Sequence, residues 1–599
     1  MRARAGDPPR TMPQKILAGR ADDPLLTGEL VQARVDQVIL VQEPNRVIAE
    51  AIQRGLTKPA VEVAIAYDTT CITARDATGH DLVHHPRVSA AALQRGVLVA
   101  RAGIGFPSAV HIERFAAPAR LAITDDPRSA ALGGIGMLTL LVAPSQLAEA
   151  LLTGSISLRP PRSVQVLLSG RVRPFVCVRD VALELLRRGL GETLAKIDRE
   201  HGAPVVIEFA GASARLLSVP ERALLCSLAP LLGAAGAVFV SDEKTEVYLR
   251  DQRRSKAHRS LLPDPGAPCD DVMTLDLSAV DPLLMDREGK VRPVRDLEGT
   301  PVDQAIVGGD SGASLRDLLA AAILLKSKRV PATLDFLVAP PSRQVLEVLA
   351  HSGALVDLIA TGARLIEPDQ RLITGELYPP GENCVSIRTF DPAPGVPQNQ
   401  ASIVASAETL AFAVATGEIG DPRSFKRPVR VTVPRALPTD DVLVIRKQKK
   451  SKTEGADGEV SLPGVPTQAW SSDSTLAINS TKTAPQQPNA FIAQDADAVR
   501  WAMQNAGRLT PGLRVLIAPW LPAGVVSVFA GMGVLTLLAT ESELAKLAQQ
   551  SELTVPKPDG WRTAQSVPLQ VGTESLALQW PARGPERAWT LAGSAIAKP

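Results

Sequence analysis

The feature that most constrains this chain is a strand, turn and helix packed into some twenty residues. The apolar run 305–307 enters the turn Gly308-Gly309-Asp310-Ser311-Gly312 and leaves at once into Leu315-Arg-Asp-Leu-Leu-Ala-Ala-Ala-Ile-Leu-Leu325. Ser314 and Asp310 both offer an N-cap to that helix. A second apolar strand is expected over 333–338, then the loop 339–344, a second helix and the segment 363–368. Strand, Gly-rich turn, helix, strand is an α/β unit, and its turns point backbone N–H groups into a cleft at the strand ends. The same alternation recurs near the start, where a strand over 35–41, a helix over 44–55 and a strand over 61–67 lead to Tyr67-Asp68-Thr69-Thr70.

A chain of 599 residues is long enough for several such units. Its 45% hydrophobic and 21% charged residues are ordinary for a globular protein, and the 3% aromatic content leaves Ala, Leu and Val to fill the cores. The net charge of +2 gives no general basic field for nucleic acid. The basic cluster 250–259 has no interleaved aromatic for base stacking, which fits a solvated surface. The five cysteines, Cys71, Cys177, Cys226, Cys269 and Cys384, form no CxxC pair and are odd in number. A reducing, cytoplasmic setting is therefore expected. The basic start lacks an apolar core for secretion, and the uncharged run 224–241 is broken by Pro230, Gly233 and Gly236 into helix, turn and strand.

Five separated blocks resemble, in order, the aconitase family with its isopropylmalate and homoaconitate dehydratases. The blocks are 67–70, Gly103-Ile-Gly-Phe-Pro-Ser-Ala-Val-His-Ile-Glu-Arg-Phe115, Thr124-Asp-Asp-Pro-Arg128 with Gly133-Gly134-Ile-Gly136, the turn at 307–314, and 383–390. The resemblance implies an α/β fold with three domains in a large lobe and a C-terminal swivel domain. It divides the chain into a leader (1–20), α/β domains at 21–200, 201–300 and 301–424, a partly flexible linker (425–488) and a swivel-like domain (489–599).

In this family three cysteines hold a [4Fe-4S] cluster, and those positions fall on Asp310, Gln370 and Ile373. The family's His, His and Ser-His positions fall on Thr69, Ser108 and Pro127-Arg128, while Asp68 and Asp126 match its aspartates. A supporting Asn and Glu fall on Ser227 and Leu231, the carboxylate-clamping arginines on Pro392 and Pro397, and the catalytic serine base near 498 or 499, with Arg500 kept. Each such group contributes several kcal/mol of transition-state stabilisation in typical enzymes. Losing them together implies no bound cluster, no metal and no confident catalytic residue among Asp68, Thr69, Ser108, Asp126, Arg128 and Arg500. The expectation is a catalytically inactive family member that binds a protein partner, with no membrane association. One alternative is a hydro-lyase acting on a polycarboxylate by another route, and a second is RNA binding through the open cleft. The glycines at 133, 134 and 136 are expected to permit close backbone packing rather than to cradle phosphate. His111 is expected to be a packed, hydrogen-bonded residue.

Overall fold

The computed structural model describes residues 8–72, 87–391, 401–435, 437–439, 442–446, 469–482, 488–509 and 512–593. Three mainly parallel sheets and a closed barrel account for most of the regular structure, so the protein is a mixed α/β protein as expected. The first sheet runs Leu98–Ala100, Val63–Tyr67, Gln37–Leu40, Leu121–Thr124 and Leu138–Leu141, all parallel, with Val444–Ile445 added antiparallel at one edge. The second has four parallel strands in the order Gly236–Phe239, Val205–Ala210, Arg162–Ser169 and Asp271–Asp276. The third holds the Gly-rich unit. Gln304–Gly308 lies between Ser386–Arg388 and Asp335–Ala339, parallel to both, with antiparallel strands at the far edge. Parallel strands are covered on both faces and so carry continuous apolar runs, as in the fully buried Leu-Ala-Ile-Thr of 121–124.

The helix Leu315–Leu325 is capped by Ser314, whose hydroxyl accepts from the Asp317 N–H while the Asp317 carboxylate accepts from the Ser314 N–H at 2.8 Å. Asp310 is thereby free of capping. Gly308 (φ 114°) sits so close to the next strand that a Cβ there would lie 1.9 Å from the Ala339 carbonyl oxygen. The reading of Gly133 and Gly134 as packing residues is also correct, since a Cβ on Gly133 would lie 1.9 Å from the Ala237 carbonyl oxygen. These glycines press the 3-10 segment Pro127–Ile135 onto the second sheet and the helix Val219–Cys226.

Two local expectations differ from the structure. The start of the chain is no loose leader from residue 11 on, because Met12–Ala18 forms a capped helix with Met12 and Leu17 fully buried. The Met12 N–H is held by the Glu208 carboxylate at 2.6 Å, a partner 196 residues away that local patterning does not reveal. The segment Arg162–Ser169 is one long strand, paired with neighbours distant in sequence. The expected strand over 35–41 breaks into Val31–Arg34 and Gln37–Leu40, with the buried Asp36 between them taking Arg20 (2.5 Å) and Arg120 (3.2 Å).

The C-terminal barrel is built from Ser474–Asn479, Asn489–Ile492, Leu513–Ala518, Leu535–Leu538, Glu574–Gln579, Ser566–Val571 and Glu552–Val555. It has its own apolar core, including Trp470, Phe491, Trp561 and Trp580. It docks on the large lobe through the buried Asp198, which accepts the Ala523 N–H at 3.0 Å, and through Arg159, which ion-pairs with Glu586. Among the described residues no single helix is long and apolar enough to cross a membrane.

Candidate active site

Open α/β sheets place ligands beyond the carboxyl ends of their strands, and that is where this chain gathers its polar side chains. Asp126 follows the strand Leu121–Thr124, Asp310 follows Gln304–Gly308, and Asp391 follows Ser386–Arg388. All three line one cavity of about 530 Å³ between the large lobe and the barrel. Arg128, Ser311, Arg500 and Gln504 line it too.

Asp310 is 2% exposed. Its Oδ1 accepts from Ser108 Oγ, while its Oδ2 has no hydrogen-bond partner. Ser311, beside it, holds a left-handed backbone (φ 53°), a costly state for a non-glycine residue and one that collects at functional sites. The Ser311 carbonyl accepts from Arg179 at 3.2 Å, and the same guanidinium meets Asp391 at 2.8 Å. Arg179 is itself buried, so the pair ties the helix Val178–Arg187 to two loops of the third sheet.

Asp126 is 1% exposed, and its Oδ1 caps the following segment by accepting the Arg128 N–H at 3.2 Å. Burial first, and then the nearby Asp310 carboxylate, lift its pKa to about 7 against the pull of Arg128. Burial also raises Asp310, opposed first by Arg128 and then by the Ser108 hydroxyl. Two carboxyls in one buried site repel each other when both are ionised, which favours the neutral form of Asp126. The Arg128 guanidinium also donates to the Asp391 carbonyl at 3.2 Å.

Of the residues singled out by sequence, Ser108, Asp126, Arg128 and Asp310 therefore converge, and Arg500 joins them on the cavity wall. Ser227 and Leu231 line it as well. Asp68 stays apart and accepts the Val88 N–H at 2.7 Å. Thr69, with Gln370 and Ile373, borders a second, smaller cavity that shares Arg128 and Gln504 with the first. Residues 498 and 499, on the helix Ala496–Gln504, are an alanine and a valine. Pro392 and Pro397 lie outside the described residues. His111 is buried between the Tyr67 hydroxyl (3.0 Å) and Gln37 Oε1 (2.8 Å), and burial drops its pKa to about 3. Because Gln37 Nε2 donates to the Phe115 carbonyl, its Oε1 accepts, so His111 carries its proton on Nε2. Sequence reasoning missed Arg179 and Asp391, whose only signal is a contact across 212 residues.

A profile of the aconitase family (aconitate hydratase) matches residues 60–286. The 3-isopropylmalate dehydratase large subunit 1 of Deinococcus radiodurans is 30% identical over 390 residues, which span 63% of this chain and 85% of that protein. This chain belongs to the aconitase family. The homoaconitase large subunit of Thermus thermophilus is 29% identical over 417 residues, 68% of this chain and 96% of that protein. The 3-isopropylmalate dehydratase large subunit 2 of Archaeoglobus fulgidus is 27% identical over 436 residues, 69% of this chain and 99% of its own length.

These similarities overturn the expectation of a catalytically inactive member. Proteins named for dehydratase and homoaconitase activities match over most of their length, and the family is one of hydro-lyases. The expectation treated every replaced residue as a loss. It overlooked that Asp310, at one of the replaced positions, stands in the same cavity as the matching Asp126 and raises its pKa.

The family's iron–sulfur cluster does not fit the residues present. Irons of such clusters are held by thiolates, and the three positions offer the Asp310 carboxylate, the Gln370 carboxamide and a hydrocarbon. Ile373 is 1% exposed and packs with Phe106, Ile306, Leu337 and Phe390. Among the described residues one group has metal-ligand character, the buried Cys177, Asp317 and Glu408 at the starts of three helices. Arg316 ion-pairs with Asp317 at 3.2 Å and Glu408 at 3.5 Å, so a cation already occupies that cluster. None of its members lines the cavity.

Proposed function

We propose that this protein is a hydro-lyase that removes or adds water on a hydroxy-polycarboxylate without an iron–sulfur cluster, using Asp126 and Asp310 as its acid and base. The observation that carries this reading is the buried Asp126–Asp310 pair on the wall of the shared cavity, with Asp126 raised to about 7. A general acid or base works best with a pKa near the operating pH. In the dehydration direction Asp310 Oδ2, which has no other partner, takes the proton α to a substrate carboxylate. The electrons of that C–H bond form the double bond as the β C–O bond breaks. Asp126 gives its proton to the departing hydroxyl, which leaves as water. The net change is enoate plus water, and proton exchange between the two carboxyls and solvent resets the pair.

Arg128 lies beside both carboxyls and suits a substrate carboxylate, while Arg500 on the facing helix lines the same cavity with its guanidinium 3.4 Å from Asp497. Ser108 orients Asp310 through its hydroxyl. The relatives are named large subunits, a term that implies a second chain. Here the helix Ala496–Gln504 and the barrel residues Trp520 and Trp589 complete the cavity within one chain, and the partner of this protein is proposed to act elsewhere than in closing the site.

Enoate formation from a panel of hydroxydicarboxylates, followed by ultraviolet absorbance, tests the proposal. Wild type should turn over at least one compound, and Asp310→Asn should lower kcat by about 100-fold or more, the size expected of a lost general base. Equal rates in both proteins would refute the assignment.

A further inference from the structure

The cavity is larger and less polar than a bare tricarboxylate needs. At about 530 Å³ it falls within the roughly 300–1,000 Å³ typical of sites for drug-sized ligands. Asp126, Arg128, Asp310 and Asp391 lie just beyond the strand ends and Arg500 on the facing helix, while Glu192, Asp198 and Arg199 also line the cavity. The rest of the wall includes Leu231, Met503, Trp520, Val525 and Trp589. Trp520 is held in place by Arg199, whose guanidinium lies 4.8 Å from its ring centre. Leu231 is the more telling residue. It stands where the resembled pattern carries a glutamate, so the wall has hydrocarbon at a position that pattern makes anionic.

We infer that the substrate is a hydroxydicarboxylate bearing a long alkyl or aryl arm, bulkier than an isopropyl group, which lies between Leu231 and the barrel tryptophans. This rests on the proposed hydro-lyase site for the position of the carboxylates. The arm itself is assigned from the cavity wall. An apolar arm that covers Leu231, Val525 and the indole faces releases the water lying against them. The barrel domain thereby contributes to substrate choice, since Met503, Val525 and Trp589 lie on helices that connect or follow its strands and Trp520 on the loop after Leu513–Ala518.

Calorimetric titration of the full chain with malate and 2-alkylmalates, from methyl through hexyl and including benzyl, tests this directly. Affinity should rise about fourfold per methylene beyond the isopropyl size, from the roughly 0.8 kcal/mol gained per buried CH₂. Leu231→Trp, which fills the space, should flatten the series, and Val525→Trp serves in its place if that variant does not fold. Because binding is read without turnover, the two readings fail separately. A steep series with no turnover supports the arm and sinks the hydro-lyase reading. A flat or falling series, with or without turnover, overturns the arm, as does failure of every compound to bind.

Discussion

Asp126→Asn gives the most informative single perturbation, because it should stabilise the fold while removing the acid. The carboxyl is buried and its pKa is raised from the ordinary 3.8 to about 7. Between those values the folded protein holds a proton that the unfolded chain has lost, so stability falls as pH rises through that window. At about 1.4 kcal/mol per pH unit the rise amounts to about 4 kcal/mol of destabilisation, developed fully only above pH 7. Asparagine keeps the neutral shape, and it keeps the cap as well, since its side-chain oxygen accepts the Arg128 N–H as Asp126 does. The variant should therefore match wild type near pH 3, exceed it increasingly up to about pH 7 and keep a constant lead from there to pH 8.5. Urea or thermal melts at several pH values measure this, compared as midpoints because a multidomain chain need not unfold in two states. A difference independent of pH, or a variant less stable at pH 8.5, would refute the claim that Asp126 is buried as a reluctant acid.

Two further outcomes follow from packing and burial. Gly133→Ala should lower the thermal midpoint well beyond Gly289→Ala. Its Cβ would meet the Ala237 carbonyl, while the space around Gly289 is open and costs only about 1–2 kcal/mol of left-handed strain. His111 should give the NMR signals of a neutral ring protonated on Nε2 at pH 5, and an imidazolium there would contradict its burial. The sign is that of a base whose folded pKa is depressed: the unfolded chain binds a proton below 6.5 that the fold refuses, so stability drops as pH falls from 6.5 towards 3.

The α/β class and much of the site are legible in the sequence because the relevant residues sit in short blocks at strand ends. Gly308-Gly309-Asp310 and Asp126-Pro-Arg128 each carry their own turn and helix start, so local chemistry announces them. Arg179 and Asp391 give no such signal, being an ion pair between a helix start and a loop far along the chain. The buried helix Met12–Ala18 was hidden for the same reason, since Glu208 caps it from another sheet. The misjudged function has a different cause. Counting absent cysteines and histidines measures departure from a pattern, whereas what a site does depends on the groups that remain. Two buried carboxyls that share a cavity change each other's protonation, and that coupling exists only in three dimensions.

The central claim, dehydration by a carboxyl pair without a cluster, is tested most directly by proton exchange and turnover in protein freed of iron and other metals by chelation. NMR of a hydroxydicarboxylate in deuterated buffer follows both exchange of the α proton and formation of the enoate. The account predicts that chelated wild type retains both and that Asp310→Asn loses both while still binding substrate. Activity that appears only after reconstitution with iron and sulfide, or that survives unchanged in Asp310→Asn, would contradict it.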